Sequence, residues 1–142
     1  LESRHGVAFD VEIYENLVYK TPRDVPARFQ HKRSKVTPVR MQEIAELQTE
    51  LSELVEGVLP AWVENGRLVM PRAPGIPGHL LSPEHTKRAY VLRDALVAEV
   101  RKHGYTLKDT GKQNLTYDPE ADRVYVVDFH KCVREGQQAR YE

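Results

Sequence analysis

Three places in the chain carry residue types that phosphate chemistry requires. Asp128 directly follows the apolar run Val124-Tyr125-Val126-Val127. That position puts a carboxylate at the end of a buried strand, where it needs a cation, a hydrogen-bonding partner or open solvent, because burying it alone is costly. Asp109 and Asn114 lie five positions apart in the polar stretch LKDTGKQNL. They are oxygen-bearing side chains in a loop, although Asp and Asn also populate loops for turn reasons. Lys20 ends the strand-like segment that begins at Gly6. Its ammonium projects over a bound phosphate or, in the plainer reading, into solvent. Phosphoryl transfer from a nucleotide needs a cation on the phosphates, hard oxygen ligands for Mg²⁺ and a residue that orients the attacking hydroxyl. Lys20, Asp109, Asn114 and Asp128 supply those types, so the elements that position them decide the question.

The segment GVAFDVEIYENLVYK is rich in β-branched and aromatic residues around Glu15-Asn16, which predicts two antiparallel strands. TPRDVPARFQHKRSK follows, with two prolines and a basic cluster, and reads as a loop. Thr37 is a good N-cap, Pro38 suits the first helical position, and Val36 with Met41 fits a hydrophobic staple. Ile44, Leu47, Leu51, Leu54 and Val58 recur at steps of three and four as one buried stripe, and Gly57 marks the helix end. Asn65-Gly66 between Trp62-Val63 and Leu68-Val69-Met70 predicts a hairpin. Pro71 to Pro83 holds four prolines and two glycines, which excludes a regular element there and marks a hinge. A second helix starts at Ser82-Pro83, carries Ala89, Leu92, Ala95, Leu96 and Val100 on one face, and closes at Gly104. Leu115-Thr116-Tyr117 and Val124 to Val127 form a third hairpin, and the tail from His130 is polar without periodicity. The order β-β-α-β-β-α-β-β predicts an α+β fold.

Composition bounds the rest. A chain of 142 residues fits a single domain. Its 21 Lys plus Arg balance 21 Asp plus Glu, so no net charge draws it toward nucleic acid or an anionic membrane. There is no apolar run of about 18 residues to span a bilayer. The opening LESRHGVAFD has no apolar signal core. The single cysteine, Cys132, makes no internal disulfide, and a reducing, cytoplasmic location is expected.

Taken together, these segments resemble the protein-kinase-like superfamily, particularly its compact bacterial and phage forms. HGVAFDVEIYENLVYK looks like an abbreviated glycine loop, with Gly6, Ala8 and Val11 over the nucleotide and Lys20 as the phosphate-pairing lysine. TPVRMQEIAELQTEL is similar to the helix whose glutamate pairs with that lysine. Glu43 fits best because the family has an apolar residue four positions on, here Leu47, whereas Glu46 is followed by Glu50. RLVMPRAPG resembles the strand running into the hinge, so that Met70 to Ala73 border the adenine. HGYTLKDTGKQNLTYD corresponds to the catalytic loop, with Asp109 as base and Asn114 as metal ligand. VYVVDFH corresponds to the D-F-G element, with Asp128 as the principal Mg²⁺ ligand and Phe129 as the packing phenylalanine. The resemblance spans Gly6 to Phe129. It implies ATP and Mg²⁺ as ligands and one kinase-like domain, residues 1–73 as the first lobe and 74–142 as a truncated second.

Departures limit what the resemblance carries. His130 stands for the glycine of D-F-G, Leu107-Lys108 stand for His-Arg before Asp109, and Gly6 is the one glycine left in the loop. Only 13 residues follow Phe129, so the expectation is a nucleotide cleft without a protein-substrate platform. Two readings follow: an ATP-dependent phosphotransferase, or a non-catalytic, pseudokinase-like interaction protein. The second suits a phage-encoded regulator docking on a host machine such as RNA polymerase, by analogy alone.

Other features weigh toward plainer roles. Arg28, Phe29, His31, Lys32, Arg33 and Lys35 form a basic cluster that suits nucleic acid less well than a solvated loop. His79, His85 and His103 are too dispersed for a metal site. Cys132 reads as a spectator thiol, and Trp62 and Tyr90 as core or interface aromatics.

Overall fold

A computed structural model of the protein describes residues 2–5, 9–23 and 36–136. Ten short strands and two helices follow one another in the order β1 (Glu2–His5), β2 (Phe9–Ile13), β3 (Leu17–Pro22), α1 (Pro38–Ser52), β4 (Trp62–Glu64), β5 (Arg67–Pro71), β6 (Ile76–Pro77), α2 (Pro83–Lys102), β7 (Tyr105–Thr106), β8 (Leu115–Asp118), β9 (Arg123–Val126) and β10 (Val133–Arg134). All pairings are antiparallel. They form a five-stranded sheet β1-β2-β3-β5-β4, a three-stranded sheet β6-β8-β9 and the pair β10-β7. The class is α+β, as the order of elements predicts. Gly6, Ala8 and the basic cluster Arg28 to Lys35 lie outside the described residues.

The three predicted hairpins form. Phe9 pairs with Pro22 and Ile13 with Val18 across the Glu15-Asn16 turn, so β3 takes in Thr21 and Pro22, which the sequence assigns to a loop. Trp62 pairs with Val69 across Asn65-Gly66, whose positive φ angles of 51° and 74° fit the two-residue turn that matches strand twist. Leu115 pairs with Val126 in the third hairpin. Four strands escape the sequence reading: β1, and the two-residue β6, β7 and β10. β6 falls inside the proline-rich stretch, followed by a 3-10 turn at Gly78–Leu80, so that segment is not wholly irregular. Its proline sits at the end of an edge strand, where the missing N–H is tolerated.

Both helices start where their caps predict. The Thr37 and Ser82 hydroxyls accept the backbone N–H of Arg40 and His85 at 3.1 Å each. α1 ends at Ser52, earlier than the stripe suggests, and the chain then turns out of helical phase toward Gly57. Leu54 is consequently half exposed and Val55 fills the core in its place, while Val58 is buried as expected. On α2, Ala89, Leu96 and Val100 are buried, whereas Ala95 lies on the exposed flank. Trp62 is 39% exposed at the sheet edge rather than in the core.

One apolar core joins the sheets and both helices, with Ile44 and Leu51 of α1, Leu68 and Met70 of β5, Val100 of α2, Val126 of β9 and Phe129 all at most 1% exposed. The tail expected to be polar enters this core. Cys132 is fully buried and Val133-Arg134 pair with Thr106 and Tyr105.

Candidate active site

The five-stranded sheet presents one face to a cavity of about 640 Å³, closed on the other side by the 109–116 and 127–130 segments. The period-two alternation of β2 puts Phe9, Val11 and Ile13 on that face. Register places Val11 opposite Lys20, and Val18 opposite both Ile13 and Met70, so a lysine head sits over an apolar floor. Met70 and Ala73 line the same cavity where β5 leaves the sheet. From the far side come Asp109, Asn114, Val127, Asp128 and His130. Of the residues assigned from sequence, Val11, Lys20, Met70, Ala73, Asp109, Asn114 and Asp128 therefore share one cavity.

Lys20 is 6% exposed. Its Nζ donates to the carbonyl of Val127 at 2.5 Å and lies 5.9 Å from the Phe9 ring centre. Burial pushes its pKa below the ordinary lysine value, and the opposing influence is the charge of Asp128. Burial by itself would raise the pKa of Asp128. The Lys20 ammonium and the bonds from His130 outweigh it and hold the carboxyl well below the usual carboxylate range. Asp128 Oδ1 accepts the His130 backbone N–H at 3.0 Å and lies 3.2 Å from His130 Nδ1. Asp128 is thus a hard oxygen donor lining the cavity whose lowered pKa favours the charged form.

Asp109 adopts φ +60°, a left-handed conformation that Asp tolerates better than most residues. Asn114 Nδ2 donates to the Asp109 carbonyl at 2.7 Å, while the Asn114 carbonyl accepts the N–H of Val127 at 3.0 Å. The 109–114 loop is therefore closed on itself and fastened to the Asp128 segment. Lys131 Nζ stands 3.8 Å from Asp109 Oδ2 at the rim.

Glu43 does not line the cavity. Its carboxylate lies 3.5 Å from the guanidinium of Arg40, on the same helix, and the carboxylate that acts on Lys20 is that of Asp128. Residues not anticipated from sequence also contribute: Phe9, Val18, Arg4, Arg23 and His79 line the cavity. The alternation of β2 is the signal that marks Phe9. No local pattern marks Arg4, on a strand the sequence does not announce, or His79, on the short 3-10 turn.

Asp128 and Asn114 fit Mg²⁺, which takes hard oxygen ligands and keeps most of its coordination for water and phosphate. Among the described residues no group of three or more His, Cys, Asp and Glu side chains is placed to hold a metal. The two donors suit a cation that arrives shared with a phosphate.

The fold matches solved structures. The chain is similar to the Rio2 kinase-ADP/Mg²⁺-phosphoaspartate complex from Chaetomium thermophilum at a TM-score of 0.62 and 18% identity, over 96% of this chain and 48% of that one. It is similar to the kinase PK-1 of Cydia pomonella Granulovirus, at a TM-score of 0.55 and 14% identity, over 100% of this chain and 57% of that one. It also matches WbdD in complex with the kinase inhibitor LY294002, at a TM-score of 0.53 and 21% identity, over 95% of this chain and 34% of that one. No family model and no curated protein matches the chain. The chain has a protein-kinase-like fold, and it spans between a third and just over half the length of these structures. No helix is long and apolar enough to cross a membrane among the described residues.

Proposed function

We propose that the cavity binds ATP with Mg²⁺ and that the protein is a kinase-like phosphotransferase. The observation that carries this reading is the approach of Lys20, from the third strand, to Val127 and Asp128, from the far end of the chain, on a cavity that also holds Asn114 and Asp109. Desolvating a lysine beside a carboxylate is costly, and a perturbed pair of this kind on a cavity is what a functional site presents. Met70 and Ala73 border the adenine, with Val11 and Val18 as the apolar wall, while Lys20 holds the phosphates. Asp128 and Asn114 would hold the metal, which supplies charge neutralisation on the phosphate oxygens. Asp109 accepts the proton of an acceptor hydroxyl and orients it, with Lys131 at its carboxylate.

A thermal-shift titration with ATP, with and without Mg²⁺, tests this. A ligand at about 100 times its Kd adds roughly 2.7 kcal/mol. Mg²⁺-dependent stabilisation that disappears in Asp128→Asn is expected. No shift at millimolar nucleotide would remove the reading.

Two observations favour a second reading, nucleotide binding without transfer or use of the fold as an interaction surface. Lys20 is already engaged by Val127, and Glu43 stands with Arg40 outside the cavity. Under this reading ATP binds without release of ADP in the presence of any acceptor, and Asp109→Asn leaves every measured property unchanged.

A further inference from the structure

Arg40 breaks the local rules of α1. It lies in the first turn, where the helix dipole disfavours a cation. Yet it is 2% exposed, and it is one of the largest fully buried side chains. Such a residue is retained only where specific acceptors meet it, and here they belong to the turn that follows Asp128. Arg40 Nη2 donates to the carbonyls of His130 at 2.8 Å and Cys132 at 2.6 Å. The turn is closed by the Cys132 N–H on the Phe129 carbonyl at 2.9 Å. His130 transmits the contact: its carbonyl is held by Arg40, and its N–H is bonded to Asp128 Oδ1. Two hydrogen bonds and one residue therefore connect α1 to the carboxylate that faces the cavity. On the other side Lys20 holds the carbonyl of Val127. The backbone on either side of Asp128 is fastened by a cation from each of two elements of the first half of the chain.

We propose that Arg40 is a positioning residue that holds the His130 backbone and through it the orientation of Asp128, so that α1 sets the divalent-cation affinity of the site through Arg40. The inference rests on the reading of Asp128 as a Mg²⁺ ligand beside a nucleotide. The guanidinium touches neither ligand, so its effect is on the metal and not on the nucleotide.

The test is calorimetric titration of the whole chain with ATP in EDTA, and with MgCl₂ at saturating ATP, for wild type, Arg40→Lys and Arg40→Met. Metal-free ATP affinity should stay within about twofold, while the Mg²⁺ midpoint rises about tenfold or more in Arg40→Met and less in Arg40→Lys, which keeps a donor for one carbonyl. In ligand-free protein the His130 amide proton resonance should move in the same order. A folded Arg40→Met with the wild-type Mg²⁺ midpoint overturns the role of Arg40. So does a parallel loss of ATP affinity with and without Mg²⁺, which marks a merely structural residue. Should Arg40→Met fail to fold, Arg40→Lys decides by the same comparison. A wild-type protein indifferent to Mg²⁺ overturns the metal reading itself, and Arg40's role falls with it.

Discussion

The ammonium of Lys20 donates to the carbonyl of Val127, 107 positions further along the chain. That bond closes the cavity across its two walls and sets the Lys20 charge beside Asp128. It makes the two halves of the fold one electrostatic unit.

Removing the cation should therefore be read at the carboxylate. In Lys20→Met the pKa of Asp128 should rise, because the largest influence opposing burial is gone and only the bonds and charge of His130 still hold it down. The sign follows. In wild type the stabilisation tied to ionised Asp128 is fully present above its unfolded value and is lost as pH falls through the depressed folded value, whereas in Lys20→Met the loss sets in at higher pH. Carboxyl carbon NMR titration measures the shift. The same variant should lose about 1–3 kcal/mol at neutral pH, since it leaves a partly buried charge unpaired.

A second carboxylate contributes to the acid limb. Asp122 accepts two bonds from Arg88 Nε, one from Arg88 Nη2 at 2.6 Å and one from the Tyr117 hydroxyl at 2.7 Å. Chiefly through the Arg88 and then the Tyr117 bond, its pKa is lowered to about 2. The linked stability is present above about pH 4 and lost as pH falls toward about 2. Melting temperatures followed from neutral pH into acid should fall less steeply in Asp122→Asn than in wild type across that window. Identical slopes would remove the assignment.

Gly57 is a packing requirement. Its φ is +93°, and a Cβ there would stand 2.3 Å from the Val124 carbonyl oxygen and 2.7 Å from Leu96 Cδ1. Its own carbonyl accepts the N–H of Val126 at 3.2 Å. Gly57→Ala should cost about 3 kcal/mol in urea unfolding, from backbone strain plus the collision.

Cys132 should behave as a core side chain. Burial pushes its thiol up to about 12, against the influence of Arg40. At pH 8 about one molecule in ten thousand then carries the thiolate. Labelling by iodoacetamide should follow the rate of unfolding and not the reagent concentration. Fast labelling of the native protein would contradict the burial.

Much of the molecule was legible along the chain. Caps at Thr37 and Ser82, the Asn65-Gly66 turn and the β-branched and aromatic content around Glu15-Asn16 are local signals, each spelled within a few residues, and each forms where expected. The run Val124 to Val127 ending in Asp128 likewise announces a strand that delivers a carboxylate. Leu54 and Ala95 mislead because periodicity gives a face but not where a helix stops or how wide its buried stripe is. The two-residue β7 and β10 have no period at all, since they exist only through each other.

Six of the ten strands and both helices were legible in the sequence alone, because strand and helix periods and turn chemistry act over short separations, and Lys20, Asp109, Asn114 and Asp128 were singled out there by residue type and by the family resemblance. The tertiary structure decided which charges meet. It put Asp128 beside Lys20, turned Glu43 to Arg40, and buried Arg40 against the carbonyls of His130 and Cys132. A buried charge takes its partner from whatever the packed core brings within reach, and chain separation says nothing about that.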